Sequence, residues 1–172
     1  IGAGFKQVVS QGMQFEHTLS MIAIKGNETA ESMDKARTAV LSMGEGIYGP
    51  QKVAEALETL VLAGLKVEEA TMALGPALNL ATVGGTSIEK SAYALVQVGS
   101  AMGYTSDSFS GIADVIAKTA AVSMSSVESL SEAFKSASSV GVVFGVTLND
   151  LGTSLAALSN LGIQGSAAGT AV

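Results

Sequence analysis

The chain has 172 residues, of which 48% are hydrophobic and only 14% charged, with a net charge of −6. Nine scattered basic residues leave no nucleic-acid footprint, and the absence of cysteine removes disulfides, thiolate chemistry and cysteine-based metal sites. The length suits one sizeable domain or a short helical array.

Aromatics make up 5% and tryptophan is absent, so the apolar content is small and aliphatic. Such side chains let helices approach closely, but each buries little area at ~25 cal/mol per Å². A surface this short of charge expects a partner. After Lys135 the only charged side chain is Asp150, which suggests that the C-terminal third is enclosed by copies of itself or by other subunits.

Residues 1–25 read as a helix with Phe5, Val8, Val9, Met13, Leu19 and Ile22 on its apolar side, interrupted or bent near Gly12. The basic-then-apolar order of a signal peptide is missing from Ile1 to Gly12. Ile1 is no initiator and Val172 falls within a repeat-like element, so the chain reads as a window from a longer polypeptide. Asn27 is placed to cap a second helix to about Met43, whose polar face carries Glu31, Asp34, Lys35 and Arg37. Residues 44–49 form a loop, and Pro50 suits the first turn of a third helix, where its missing N–H costs nothing. Val53, Leu57, Leu60 and Val61 are its buried stripe, and it ends at Gly64.

A fourth helix spans about Val67 to Ala81 with Gly75-Pro76 inside it, where an interior proline costs ~3 kcal/mol and kinks or splits the element. Thr86 with Glu89 makes a capping box for a helix to Met102, which Gly103 ends. Thr105 or Ser106 caps the next, with Phe109, Ile112, Val115, Ile116 and Ala120 inward. Ser125 with Glu128 caps another, striped by Val127, Leu130 and Phe134. Residues 138–146 are strand-prone in composition but have no second strand to pair with, so they read as a loop or frayed helix end. Thr147 and Asp150 cap a helix striped by Leu148, Leu151, Leu155, Leu158 and Leu161; Gly162 closes it and Ser166 caps a last one.

These elements predict an all-α fold, an array of short antiparallel helices or helical hairpins. Gly64, Gly103 and Gly145 each stand four or five residues before an acidic position that opens an apolar run, giving a degenerate repeat of about forty residues. Asn79-Leu80 and Asn160-Leu161 fall at equivalent places. The organisation expected is a lead-in with a glycine-rich loop over 1–49 and a helical-hairpin core over 50–172.

No constellation carries catalysis. Residues 44–49 (GEGIYG) have the letters of a dinucleotide fingerprint but lack the strand that would aim the turn at a pyrophosphate. His17, the lone histidine, reads as a surface or interface residue. Glu55/Glu58, Glu68/Glu69 and Glu128/Glu132 lie within helices or at their starts, where the macrodipole favours negative charge. No cofactor and no metal are expected. The spacing of Gly99 to Gly103 and of Gly141 to Gly145 lets helices touch closely. The apolar stretches over 70–88 and 151–172 are broken by glycine, proline and polar residues, and the seven methionines fill gaps between helices.

Residues 15–20 (FEHTLS), 52–64 (KVAEALETLVLAG), 67–71 (VEEAT), 125–135 (SSVESLSEAFK) and 161–171 (LGIQGSAAGTA) together resemble, in order, the core of phage tail tape measure proteins. The closing segment is the most specific piece. Residues 44–50 depart from the family's Thr/Ser-rich lead-in, and Val172 stands where a basic residue usually follows. The resemblance implies a structural, non-enzymatic protein of the virion, inside the tail tube or at the tail tip, whose length sets tail length and which leaves during DNA ejection. It implies three-fold or six-fold homo-oligomers, tail-tube and tip or baseplate partners, and transient contact with a host membrane. The expected interface residues are Leu148, Leu151, Leu155, Leu158, Leu161 and Ile163. The alternatives are a membrane-active, pore-forming helical segment and an unrelated helical-repeat binding module.

Overall fold

The computed structural model describes the backbone of residues 2–172 and the side chains of 10–138 and 140–172. The described residues are all-α, with no strand. The helices are α1 (Gly2–Gly26), α2 (Ala30–Gly44), α3 (Pro50–Leu62), α4 (Val67–Gly84), α5 (Ile88–Met102), α6 (Phe109–Val122), α7 (Val127–Gly141), α8 (Leu148–Asn160) and α9 (Gly165–Ala171), with a 3₁₀ turn at Ser106–Ser108. The chain divides into two compact units, Ile1–Leu74 and Gly75–Val172, and the division falls inside α4. The third helix belongs to the first unit, where it packs against α1 and α2.

One device ends most helices. Gly64, Gly85, Gly103, Gly145 and Gly162 all have left-handed backbones. In each case the next residue donates its N–H to the carbonyl five residues earlier, as Tyr104 does to Gly99 at 2.8 Å. Glycine takes this conformation most readily because it has no Cβ, and the closure also fixes where the next helix can begin. Asn27, expected to start α2, does the same job at the end of α1: its φ is +50° and Glu28 N–H reaches Ala23 O. The cap of α2 is Thr29, whose hydroxyl accepts from Ser32 N–H.

In the first unit, α1 and α3 run parallel. Gln51 donates to the Thr18 hydroxyl, and Lys25 pairs with Glu58 at 2.6 Å, so the same offset recurs along both helices. Ile22, Val40, Val53, Leu57 and Leu60 fill the space between α1, α2 and α3. Of the interruption or bend expected near Gly12, the interruption does not occur; one exposed glycine costs a helix ~1 kcal/mol and does not stop a long one. Met13 is 63% exposed and Phe15 takes the inward place. Phe5, Val8 and Val9 lie outside the described side chains.

In the second unit, α7 packs against α5, α6, α8 and α9. Lys90 near the start of α5 pairs with Glu128 near the start of α7, and Gln164 before α9 donates to Met124 O just before α7. The odd-numbered helices therefore run parallel in one layer. Asn160 at the end of α8 donates to Val122 O at the end of α6, so those two are parallel to each other in a second layer. Leu95, Ile112, Ile116, Leu130, Phe134 and Leu151 form the core between the layers.

Close approach is made at glycines. A Cβ on Gly99 would stand 2.7 Å from the Phe109 ring, one on Gly152 would stand 2.8 Å from the Thr119 hydroxyl, and one on Gly169 would fall on the Ala133 carbonyl. The two G-x-x-x-G spacings thus resolve differently from a helix-crossing motif. Gly99 is a packing residue, and Gly103 and Gly145 are stops.

Candidate interaction surface

Three turns of the second unit share one end. Thr86, between α4 and α5, donates its hydroxyl to the Glu128 carboxylate at 2.6 Å, and Ser125 and Ser159 join hydroxyls at 2.6 Å. These bonds go with a shift of two expected caps. Thr86 and Ser125 are taken by partners far along the chain, so Ser87 and Ser126 cap α5 and α7 in their place. The last helix opens at Gln164 without a side-chain cap, not at Ser166. Thr147 and Asp150 form the reciprocal box foreseen for α8.

The polar groups of this end are largely spent inside the unit, and what projects is apolar. Val122, Met124 and Leu161 are exposed, Leu161 by 78%, with Ile163 at 38% beside them. The α6–α7 and α8–α9 turns that carry them are bonded side by side, so the four residues stand at one end of the unit. At the opposite ends of α7 and α8 a second apolar group projects, Val142, Val143 and Phe144, the last 78% exposed. It borders an open groove of about 390 Å³ whose lining includes Val140, Leu151 and Val172.

The expected interface residues are divided by this arrangement. Leu148, Leu151 and Leu155 are buried in the chain's own core and Leu158 is half-buried, whereas Leu161 and Ile163 reach solvent. Val122 and Met124 were not anticipated. The α6–α7 turn has no apolar period, and only its bonding to the following turn brings it beside Leu161.

Several polar residues are engaged structurally. Glu128 is held down to about 2, first by the Thr86 hydroxyl, then by its own backbone N–H and more weakly by Lys90. Glu58 pairs with Lys25, Glu55 accepts from Gln51 and Glu69 accepts from Lys66 N–H. Glu28 reaches across to accept from Val67 N–H at the start of α4. His17 is exposed on α1. Residues 44–49 follow a helix, and a Cβ on Gly44 would strike Pro50, so that glycine serves the turn. Among the described residues no group of histidine and carboxylate side chains is arranged to hold a metal. Among them, too, no helix is long and apolar enough to cross a membrane.

This helical array, poor in charge, has recognisable relatives. Residues 37–172 match the family described as phage-related minor tail protein. The chain is 28% identical over 163 residues to the tape measure protein of Pneumococcus phage Dp-1, covering 94% of this chain and 14% of that protein. It therefore spans about one seventh of the length of that curated relative. No solved structure matches. A match over residues 37–172 takes in α3 to α9 entire, and on that ground the chain belongs to the phage-related minor tail protein family.

Proposed function

We propose that this chain is a folded segment of a tail tape measure protein, a structural component that sets tail length and leaves as DNA is ejected. The observation that carries the reading is the similarity to a tape measure protein along 94% of the chain. In the second unit α5 to α8 are thirteen to fifteen residues long and alternate in direction, so this unit advances far less per residue than the ~1.5 Å of a straight helix. It acts as the folded part of the ruler, at the tail tip or within the tube, and the measuring length lies in straighter parts of the parent protein. Its copies meet through Leu161, Ile163, Val122 and Met124, in three-fold or six-fold assemblies.

The test uses in-frame deletions in the full-length protein and tail lengths from electron micrographs. Deleting a straight helical stretch elsewhere shortens tails by ~1.5 Å per residue, whereas deleting α6 with α7 shortens them far less. Tails of unaltered length for deletions anywhere in the parent protein would overturn the ruler reading. Light scattering tests the assembly: a trimer or hexamer is expected, dissociating with Leu161→Asp, and a monodisperse monomer would refute it.

A further inference from the structure

The fourth helix contains the two worst helix formers side by side, Gly75 and Pro76, and continues past them to Gly84. An interior proline lacks the N–H that would bond the carbonyl four residues back, and its ring presses on that carbonyl. Here the carbonyl belongs to Met72, an exposed residue. Glycine at 75 is not demanded by packing, because a Cβ there would meet nothing within 4 Å, nor by a positive φ. It shares that freedom with Gly12 and Gly111, but neither of those is followed by proline. Its effect is to loosen the helix at the point where weakening is already greatest. The division between the two compact units falls between Leu74 and Gly75, immediately before that pair.

We propose that α4 is a built-in point of failure: at Gly75-Pro76 the helix uncouples, and the two units unfold as separate cooperative blocks. Val67, Ala70, Ala73 and Leu74 on one side and Ala77, Leu80 and Ala81 on the other are all buried. Each half of α4 is therefore anchored by apolar contact, while the step between them has only half-buried Gly75 and Pro76. Cooperativity passes along a helix through its hydrogen-bond ladder and the packing of its buried face. The ladder is thinnest here, while the buried face runs on from Leu74 to Ala77. The physical claim is independent of the tail role; its use, dismantling the segment in stages as the tail empties, rests on that role.

Amide hydrogen exchange across a denaturant series, read by mass spectrometry on the full chain, tests it. Peptides from α1–α3 and from α5–α9 are expected to lose protection at different denaturant concentrations. Amides around Gly75 should exchange at least about tenfold faster than those near either end of α4. Pro76→Ala, which supplies the missing donor, should slow that local exchange about tenfold and draw the two midpoints together. Gly75→Ala should act in the same direction more weakly, and it carries the test if Pro76→Ala misfolds. A single concentration at which α1 to α9 lose protection together would overturn the proposal, as would unchanged α4 exchange in both variants.

Discussion

In the first unit the helices are tied across their faces by ion pairs, Lys25 to Glu58 between α1 and α3 and Arg37 to Glu16 between α2 and α1, with Arg37 also 5.6 Å above the Phe15 ring. Beyond Lys135 the second unit has one charged side chain, Asp150, which is spent on its own helix cap. Beside the Lys90–Glu128 pair, its ties are neutral: Ser125 to Ser159, Asn160 to a carbonyl, Gln164 to a carbonyl, and glycines pressed against neighbouring helices. Exposed ion pairs tolerate sliding and weaken with salt, whereas a glycine contact fails as soon as a methyl group is added. The same all-α pattern is thus held by forgiving contacts in one unit and by exacting ones in the other.

The sharpest way to probe this difference is the aromatic core. Phe134 is fully buried in α7, with its ring tip 3.6 Å from where a Cβ on Gly152 would lie. Phe134→Ala should cost about 3–5 kcal/mol in urea denaturation. Phe15→Ala should cost less, because Phe15 sits at the rim of its unit beneath Arg37. Equal costs would erase the distinction between the two cores.

Added methyl groups should differ in sign between the units. Gly169→Ala sets a Cβ on the Ala133 carbonyl and is expected to destabilise by about 1–3 kcal/mol, with loss of exchange protection in α9. Gly12→Ala meets open space within α1 and should stabilise by up to about 1 kcal/mol. Local capping should not discriminate at all. Thr29→Ala and Thr147→Ala each remove one side-chain cap and should cost about 1 kcal/mol apiece by the same assay.

The smallest effects are electrostatic. Breaking the partly exposed Lys25–Glu58 pair with Glu58→Gln should cost under about 1 kcal/mol and shrink further in high salt. In the second unit the folded state holds Glu128 at about 2, below its ordinary 4.5. The stability this adds is complete above pH 4.5 and is lost as the pH falls towards 2. Its side chain is 40% exposed, so solvent screening keeps the contribution below about 1 kcal/mol. Glu128→Gln should flatten the acid decline in that window and leave stability at pH 7 slightly lower.

What could be read from the residues was whatever is decided locally. The Thr147–Asp150 box, the proline opening α3 and the glycine stops need only neighbours a few residues away, and the helices form where those signals lie. Errors arose where a distant group competes. Thr86 has the local chemistry of a cap, but its hydroxyl goes to Glu128 on another helix, and Ser125 goes to Ser159. The leucine stripe of α8 was legible as a stripe, yet nothing in its period says whether a leucine faces its own chain or another. Burial separates Leu148, Leu151 and Leu155 from Leu161. Met124, at the same end of the unit, left no sequence signal, because its place depends on a hydrogen bond from Gln164.

Alternation of direction within the second unit constrains how such a protein can change size. Losing one helix from the middle would send everything after it back the wrong way, with α9 meeting α7 head to tail and its glycine contact gone. Losing two leaves every later element pointing as before. Growth and shrinkage are therefore quantised: insertions and deletions that survive come in even numbers of helices, and kindred proteins of different length should differ by those steps.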